Sequence, residues 1–228
     1  MMRKYLVMAA ILLAAALGLE SARARAPQAP SGQPAFDPAL LHPEKLTATA
    51  PETFTVRFST TKGDFDVRVT RAWAPHGADR FYNLVQHGFY DQASFFRVVS
   101  GFMVQVGISA YPEVAQVWNN ARIPDDPVKE SNKRRMITYA TSGANARTTQ
   151  VFINYADNSN LDKMGFAPFG MVVSDMRIVE KLYSGYGDAS SLGGHGPTQN
   201  LILTQGKAYL DKDFPQLDSI KTAKVVNP

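Results

Sequence analysis

The chain has 228 residues, with 24 Lys and Arg against 20 Asp and Glu, four His and no Cys. Without cysteine there is no disulfide, no thiol nucleophile and no thiolate metal site, and His42, His76, His87 and His195 are too scattered to share a metal ion. The formal charge of +4 gathers at the start: four basic residues and one acidic residue fall within 1–26, leaving twenty against nineteen in the rest. That near-neutral remainder gives no electrostatic case for nucleic acid, and the run Lys133-Arg134-Arg135 reads as a solvated face.

Residues 1–26 read as a secretory signal peptide. Arg3 and Lys4 form a positive start, Tyr5 to Leu19 is uncharged and mostly apolar, and Ala22-Arg23-Ala24 and Ala24-Arg25-Ala26 both suit signal cleavage. The run is shorter than the ~20 residues of a membrane span, so cleavage, a periplasmic or secreted location and no stable membrane insertion are expected. Residues 27–52, rich in Pro and Ala, read as a linker.

A compact domain is expected over 53–205. Thr53 to Thr60 and Asp64 to Thr70 alternate apolar and polar residues around Lys62-Gly63, which predicts a hairpin. Pro75 opens a helix with Phe81, Leu84 and Val85 at helical spacing, and Gly88 ends it. Phe95 to Gly107 predicts strand, bend at Ser100-Gly101, strand; the polar, Pro-containing stretch Ile108 to Asn132 predicts a long loop. Met136 to Ala140, Gln150 to Tyr155, Phe169 to Val173 and Leu201 to Thr204 predict strands, and Ser174 to Leu182 a second helix. Tyr183 to Gln199 is a Gly-rich loop, and 206–228 reads as a tail packing on the domain through Tyr209, Leu210, Phe214 and Leu217. Many short strands with only two helices predict a mainly β fold, a closed antiparallel barrel.

Two segments carry the chemistry. In Phe95-Phe96-Arg97-Val98-Val99-Ser100-Gly101-Phe102-Met103-Val104-Gln105-Val106-Gly107, one arginine and one glutamine sit among large apolar residues. Arg97, Val99, Met103 and Gln105 share one parity, so an apolar strand carries a polar row on one face. A half-buried arginine is costly without partners; Gln105 and Gln150 are the candidates. Gln150 lies in Ala140-Thr141-Ser142-Gly143-Ala144-Asn145-Ala146-Arg147-Thr148-Thr149-Gln150-Val151-Phe152-Ile153, which passes from a small, polar loop into a strand.

At these two segments, and again at Leu161-Asp162 and Phe169-Gly170-Met171-Val172-Val173, the chain resembles the cyclophilin family of peptidyl-prolyl cis-trans isomerases, from about Thr53 to about Leu203. The resemblance implies a closed eight-stranded barrel capped by two helices. It implies that Arg97 is the catalytic arginine with Gln105 beside it, and that Phe102, Met103, Phe152 and Leu161 wall a proline pocket with Phe166 at its rim. Gln150, Ala140 and Thr141 match positions along the substrate backbone. It implies no cofactor and no metal, and a monomer acting on proline-containing unfolded or exported polypeptides. The chain departs from the family pattern at Phe96, where a histidine is usual, at Val106, where a glycine is usual, and at Asn160, where eukaryotic members carry tryptophan.

The residues suit that chemistry. Rotation of an X–Pro bond needs no nucleophile or general base; it needs a donor for the prolyl nitrogen as amide conjugation is lost, and an apolar cup for the ring. The alternative reading is a binding module, a chaperone or assembly factor that holds proline segments with little turnover. Arg97 separates the two, since holding the ring needs only the cup.

Overall fold

The computed structural model describes residues 35–227. The leader expected at 1–26 lies outside the described residues, as does the start of the linker. Strands β1 (Thr53–Thr60) and β2 (Gly63–Thr70) form the expected hairpin, in register from Thr53↔Thr70 to Thr60↔Gly63. Phe54, Val56 and Phe58 of β1 and Phe65, Val67 and Val69 of β2 are buried, as period-two alternation requires. Helix α1 (Pro75–Gln86) takes proline in its first turn and buries Phe81, Leu84 and Val85. The chain leaves it through Gly88 at φ +69°, a conformation glycine adopts without steric cost.

The remaining strands are β3 (Arg97–Val99), β4 (Met103–Val106), β5 (Met136–Tyr139), β6 (Val151–Asn154), β7 (Pro168–Val172) and β8 (Ile220–Asn227). All pairings are antiparallel, in the order β3-β4-β6-β5-β7-β2-β1-β8. The expected closed barrel is therefore corrected to a curled, open half-barrel whose edges are β3 and β8. One antiparallel bridge, Ser94↔Ser219, with Phe95 N–H donating to the Asp218 carbonyl at 2.9 Å, links the stretches that precede those edges. Because the bridge is antiparallel, the chain enters β3 opposite residues that precede Ser219, running away from β8, so the two edge strands form no ladder. The main core fills the concave side, with Val98, Val104, Ile137, Tyr139, Val151 and Ile153 meeting Phe81 and Phe169.

The secondary structure differs from the sequence reading at further points. The loop expected over Ile108 to Asn132 contains helix α2 (Pro112–Asn119), which starts on Pro112 and buries Val114, Ala115 and Trp118. A proline at a first helical turn starts a helix rather than breaking one. The strand expected at Leu201 to Thr204 is helical. It belongs to α4 (Gln199–Asp213), because Ile202, Tyr209 and Leu210 recur at helical spacing and are buried. With α3 (Met176–Glu180), capped by the Asp175 side chain, the described residues carry four α-helices rather than two. The tail beyond 205 supplies β8, paired with β1 through Val56↔Val225 and Phe58↔Ala223. Residues 35–52, read as linker, lie along α1. There Asn83 and Asp79 accept from the Ala48 and Ala50 amides, and the Trp118 indole donates to the Leu40 carbonyl at 2.7 Å.

Helices α2 and α4 share a second apolar cluster of Phe96, Ile108, Ala115, Ile202, Tyr209 and Leu210, flanked by Phe214 and Leu217. Their close approach depends on Gly206, where α4 kinks at φ 60°, ψ −145°. The next amide, Lys207 N–H, donates to the Ala110 carbonyl at 3.0 Å. A Cβ at 206 would strike that carbonyl oxygen and lie 2.8 Å from Pro112 Cδ. Gly206→Ala is expected to lower stability by about 2–4 kcal/mol, through backbone strain and overpacking together. Thermal unfolding checks this: a Tm unchanged from wild type would show that α4 does not depend on the kink.

Candidate active site

The site is built on the convex face of the β3–β4–β6 part of the sheet. Cross-strand pairing sets Arg97 opposite Gln105 and Val99 opposite Met103, and then Gln105 opposite Phe152 and Met103 opposite Asn154. Directly paired residues project from the same face, so the parity of the sequence becomes two rows of side chains. The β3–β4 turn closes with Phe102 N–H donating to the Val99 carbonyl at 3.0 Å, with Gly101 at φ +72°.

Arg97 is held on two sides. Its Nε and Nη2 donate to the two carboxylate oxygens of Asp188 at 2.6 and 3.1 Å, and its Nη1 donates to Gln105 Oε1 at 3.1 Å. Among the described residues the five-donor guanidinium thus keeps two uncommitted N–H bonds. The order continues outward: Gln105 Nε2 donates to Gln150 Oε1 at 2.8 Å, and Gln150 Nε2 to Gln199 Oε1 at 3.2 Å. Because a guanidinium only donates, it fixes the amide orientation of Gln105, which fixes that of Gln150 in turn. Hydrogen bonding from Arg97 holds the Asp188 carboxyl below its ordinary pKa, against the opposing effect of burial. The Ala189 amide also donates to Asp188, at 2.7 Å.

The apolar wall consists of Met103, Phe152 and Leu161, all buried, with Phe102, Ala140 and Phe166 half-buried around them. Phe152 and Phe166 meet edge to face with ring centroids 5.8 Å apart, and the Arg97 guanidinium lies 6.0 Å from the Phe102 ring centroid. A buried amide network supports this wall. Asn132 accepts from Thr138 at 2.7 Å and donates to Asp162 and to the Phe166 carbonyl, each at 2.8 Å. Asn158 donates to the Phe102 carbonyl at 2.9 Å and to Asn154 at 2.7 Å. The two chain segments that bear the rim phenylalanines are thereby tied to strands β5 and β6.

Of the ten residues expected at the site, nine line one cleft of about 210 Å³: Arg97, Phe102, Met103, Gln105, Ala140, Thr141, Phe152, Leu161 and Phe166. The tenth, Gln150, lines an adjoining cleft of about 380 Å³ and reaches the first through Gln105. Two residues that the sequence did not single out complete the arrangement. Gln199 lines both clefts, and Asp188 grips Arg97 from 91 positions away. Neither carries a local signal: Asp188 lies in a glycine-rich loop, and Gln199 begins a helix that reads as a strand.

A family model described as cyclophilin type peptidyl-prolyl cis-trans isomerase matches residues 55–206. The chain is 34% identical to peptidyl-prolyl cis-trans isomerase A of Dickeya dadantii over 133 residues, covering 56% of this chain and 70% of that protein. It is 28% identical to peptidyl-prolyl cis-trans isomerase B of Escherichia coli over 162 residues, covering 65% of this chain and 95% of that one. Its fold is similar to the crystal structure of a cyclophilin type peptidyl-prolyl cis-trans isomerase of Cryptosporidium parvum, with TM-score 0.57 and 20% identity over 77% of this chain and 99% of the other. The same protein solved in the presence of the dipeptide Ala-Pro matches with TM-score 0.56 and 19% identity, over 76% and 99% of the two chains. The chain belongs to the cyclophilin family of peptidyl-prolyl cis-trans isomerases.

Proposed function

We propose that this protein accelerates cis-trans rotation of X–Pro peptide bonds by stabilising the twisted amide, acting as a monomer on unfolded or exported polypeptides. The observation that carries the reading is a guanidinium with two free N–H bonds, clamped between Asp188 and Gln105 at the rim of an apolar cup. The charged start, apolar run and small-residue sites of 1–26 support an exported protein, periplasmic or secreted. No helix among the described residues is long and apolar enough to cross a membrane.

Rotation is opposed by amide resonance, a barrier of roughly 18–20 kcal/mol. As the bond twists, the prolyl nitrogen loses conjugation and gains a lone pair that accepts a hydrogen bond it could not accept when planar. A donor placed there stabilises the transition state selectively. In this reading the proline ring enters the cup of Phe102, Met103, Phe152, Leu161 and Phe166, and Arg97 offers its free N–H bonds to the nitrogen. Asp188 and Gln105 fix the plane of the guanidinium, so little reorganisation is needed. Gln150, Ala140 and Thr141 line the path of the flanking substrate backbone.

Exchange of a short Ala-Pro peptide, followed by protease coupling or line shape, tests this. Arg97→Ala should lower kcat roughly ten- to a hundredfold, the worth of a charge-assisted hydrogen bond, with a smaller change in KM. Arg97→Lys should recover little, because an ammonium cannot engage Asp188, Gln105 and substrate in one plane. Phe152→Ala should raise KM as well. A fully active Arg97→Ala protein with a lowered Tm would make the arginine structural. Tight peptide binding without exchange by the wild-type protein would favour the binding-module reading.

The acid limb makes a separate forecast. The Asp188 carboxyl is held below its ordinary value of 3.8, so the Arg97–Asp188 pair is intact throughout pH 5–8. The stability it contributes is present above the unfolded carboxyl's pKa and is lost as pH falls through the depressed folded value. Turnover should therefore be flat over pH 5–8 and fall only well into acid. Asp188→Asn should lose roughly tenfold in kcat and show no such acid limb of its own. A bell-shaped profile centred near neutrality would contradict a mechanism without general acid–base transfer.

A further inference from the structure

Beside the apolar cup lies the larger cleft of about 380 Å³, and its chemistry differs. Its lining includes Asn119, Asn120, Thr148, Gln150 and Gln199, and its one charged residue is Arg122, with no carboxylate among them. Arg122 is exposed, and among the described residues its side chain makes no hydrogen bond or ion pair. Its backbone is nonetheless held in place. The Arg122 amide donates to the Asn120 carbonyl at 2.9 Å, and Ile123 bridges to Arg147 in antiparallel fashion.

A second cation stands behind the same wall. The half-buried Arg80 donates through Nη1 to the Ala121 carbonyl at 2.5 Å and to the Thr148 carbonyl at 3.2 Å. Its guanidinium lies 4.9 Å from the Trp118 ring centroid. Those partners are carbonyls and an aromatic ring, and no carboxylate pairs with it among the described residues. Arg80 therefore joins the segment that leaves α2 to the segment that leads into Gln150, making the two walls one frame. Its charge adds to that of Arg122. A concave surface with two uncompensated cations and low-dielectric walls focuses a positive potential.

We propose that this cleft takes an acidic side chain of the substrate polypeptide, placed a residue or two from the proline, with Arg122 pairing to its carboxylate and the amides of Asn119, Asn120 and Gln199 completing the hydrogen bonds. The proposal rests on the isomerase reading, because the two clefts share Gln105, Ala140, Thr141 and Gln199 and a chain seated in one runs into the other. It makes the α2 segment a determinant of which X–Pro bonds are turned over.

The test uses two series of short peptides around one Ala-Pro bond, with Glu, Gln or Lys two residues before the proline in one and two residues after it in the other. The wild-type protein should prefer Glu over Gln about two- to fivefold in kcat/KM in one of the series, the range of a partly exposed ion pair. High salt should shrink the preference. Arg122→Gln should bring the Glu-to-Gln ratio to about one, and Arg122→Glu should turn the preference toward Lys. Equal turnover of Glu and Gln peptides in both series, or a preference that survives Arg122→Gln, overturns the proposal. If no peptide is turned over, the isomerase reading fails instead. Binding of the Glu and Gln peptides, followed by amide shifts of the same protein, then decides the acidic subsite by the same ratio.

Discussion

A guanidinium placed among phenylalanines is tolerable only when its charge is met, and that constraint organises the site. Arg97 projects from the convex face because its strand must give the other face to the core. Its charge is met by a carboxylate on one side and a carboxamide on the other. Each partner then needs fixing in turn. Gln105, oriented by Arg97, is held in place by Gln150, and Gln150 by Gln199 at the start of α4. Asp188 is oriented by the amide of Ala189. The result is a donor whose direction is set by three separate stretches of chain, facing a cup whose walls are tied by Asn132 and Asn158.

The parts legible in the sequence were those with a period. Arg97, Val99, Met103 and Gln105 alternate, and the ladder turns that alternation into a face. The β1–β2 hairpin and α1 follow the same logic, and the cyclophilin resemblance brought Phe152, Leu161 and Phe166 to the same cleft. What escaped was set by tertiary contact. Leu201 to Thr204 looks like a strand in isolation and becomes helical because Ile202 packs with Tyr209 and Leu210. Pro112 looks like a loop residue and opens a helix because Val114, Ala115 and Trp118 have an apolar surface to meet. Closure of the barrel depends on how far an edge ladder extends, which no local pattern records.

The two helices that were missed also change what surrounds the site. Residues 108–132 and α4 are linked at Gly206, where the kink lets Lys207 reach the Ala110 carbonyl. Phe96, which stands where the family usually has a histidine, joins their apolar cluster. Phe96 is thus buried beneath α2 and α4. Through Gln199 and Arg122, α4 and the 108–132 segment reach the cleft directly.

The reach of these contacts along the chain has a consequence for how the molecule comes into being. β1 waits for β8 as its outer neighbour, Thr61 bonds to Asp218 157 residues away, and the anchor of Arg97 arrives 91 residues after the arginine itself. A ribosome that has reached β7 has made every wall of the cup and the Gln105 side of the clamp, but not Asp188. Such a nascent fragment could cover apolar segments yet would lack the oriented donor. Truncation before Asp188 would therefore remove the carboxylate that orients Arg97 and leave the cup without a directed donor.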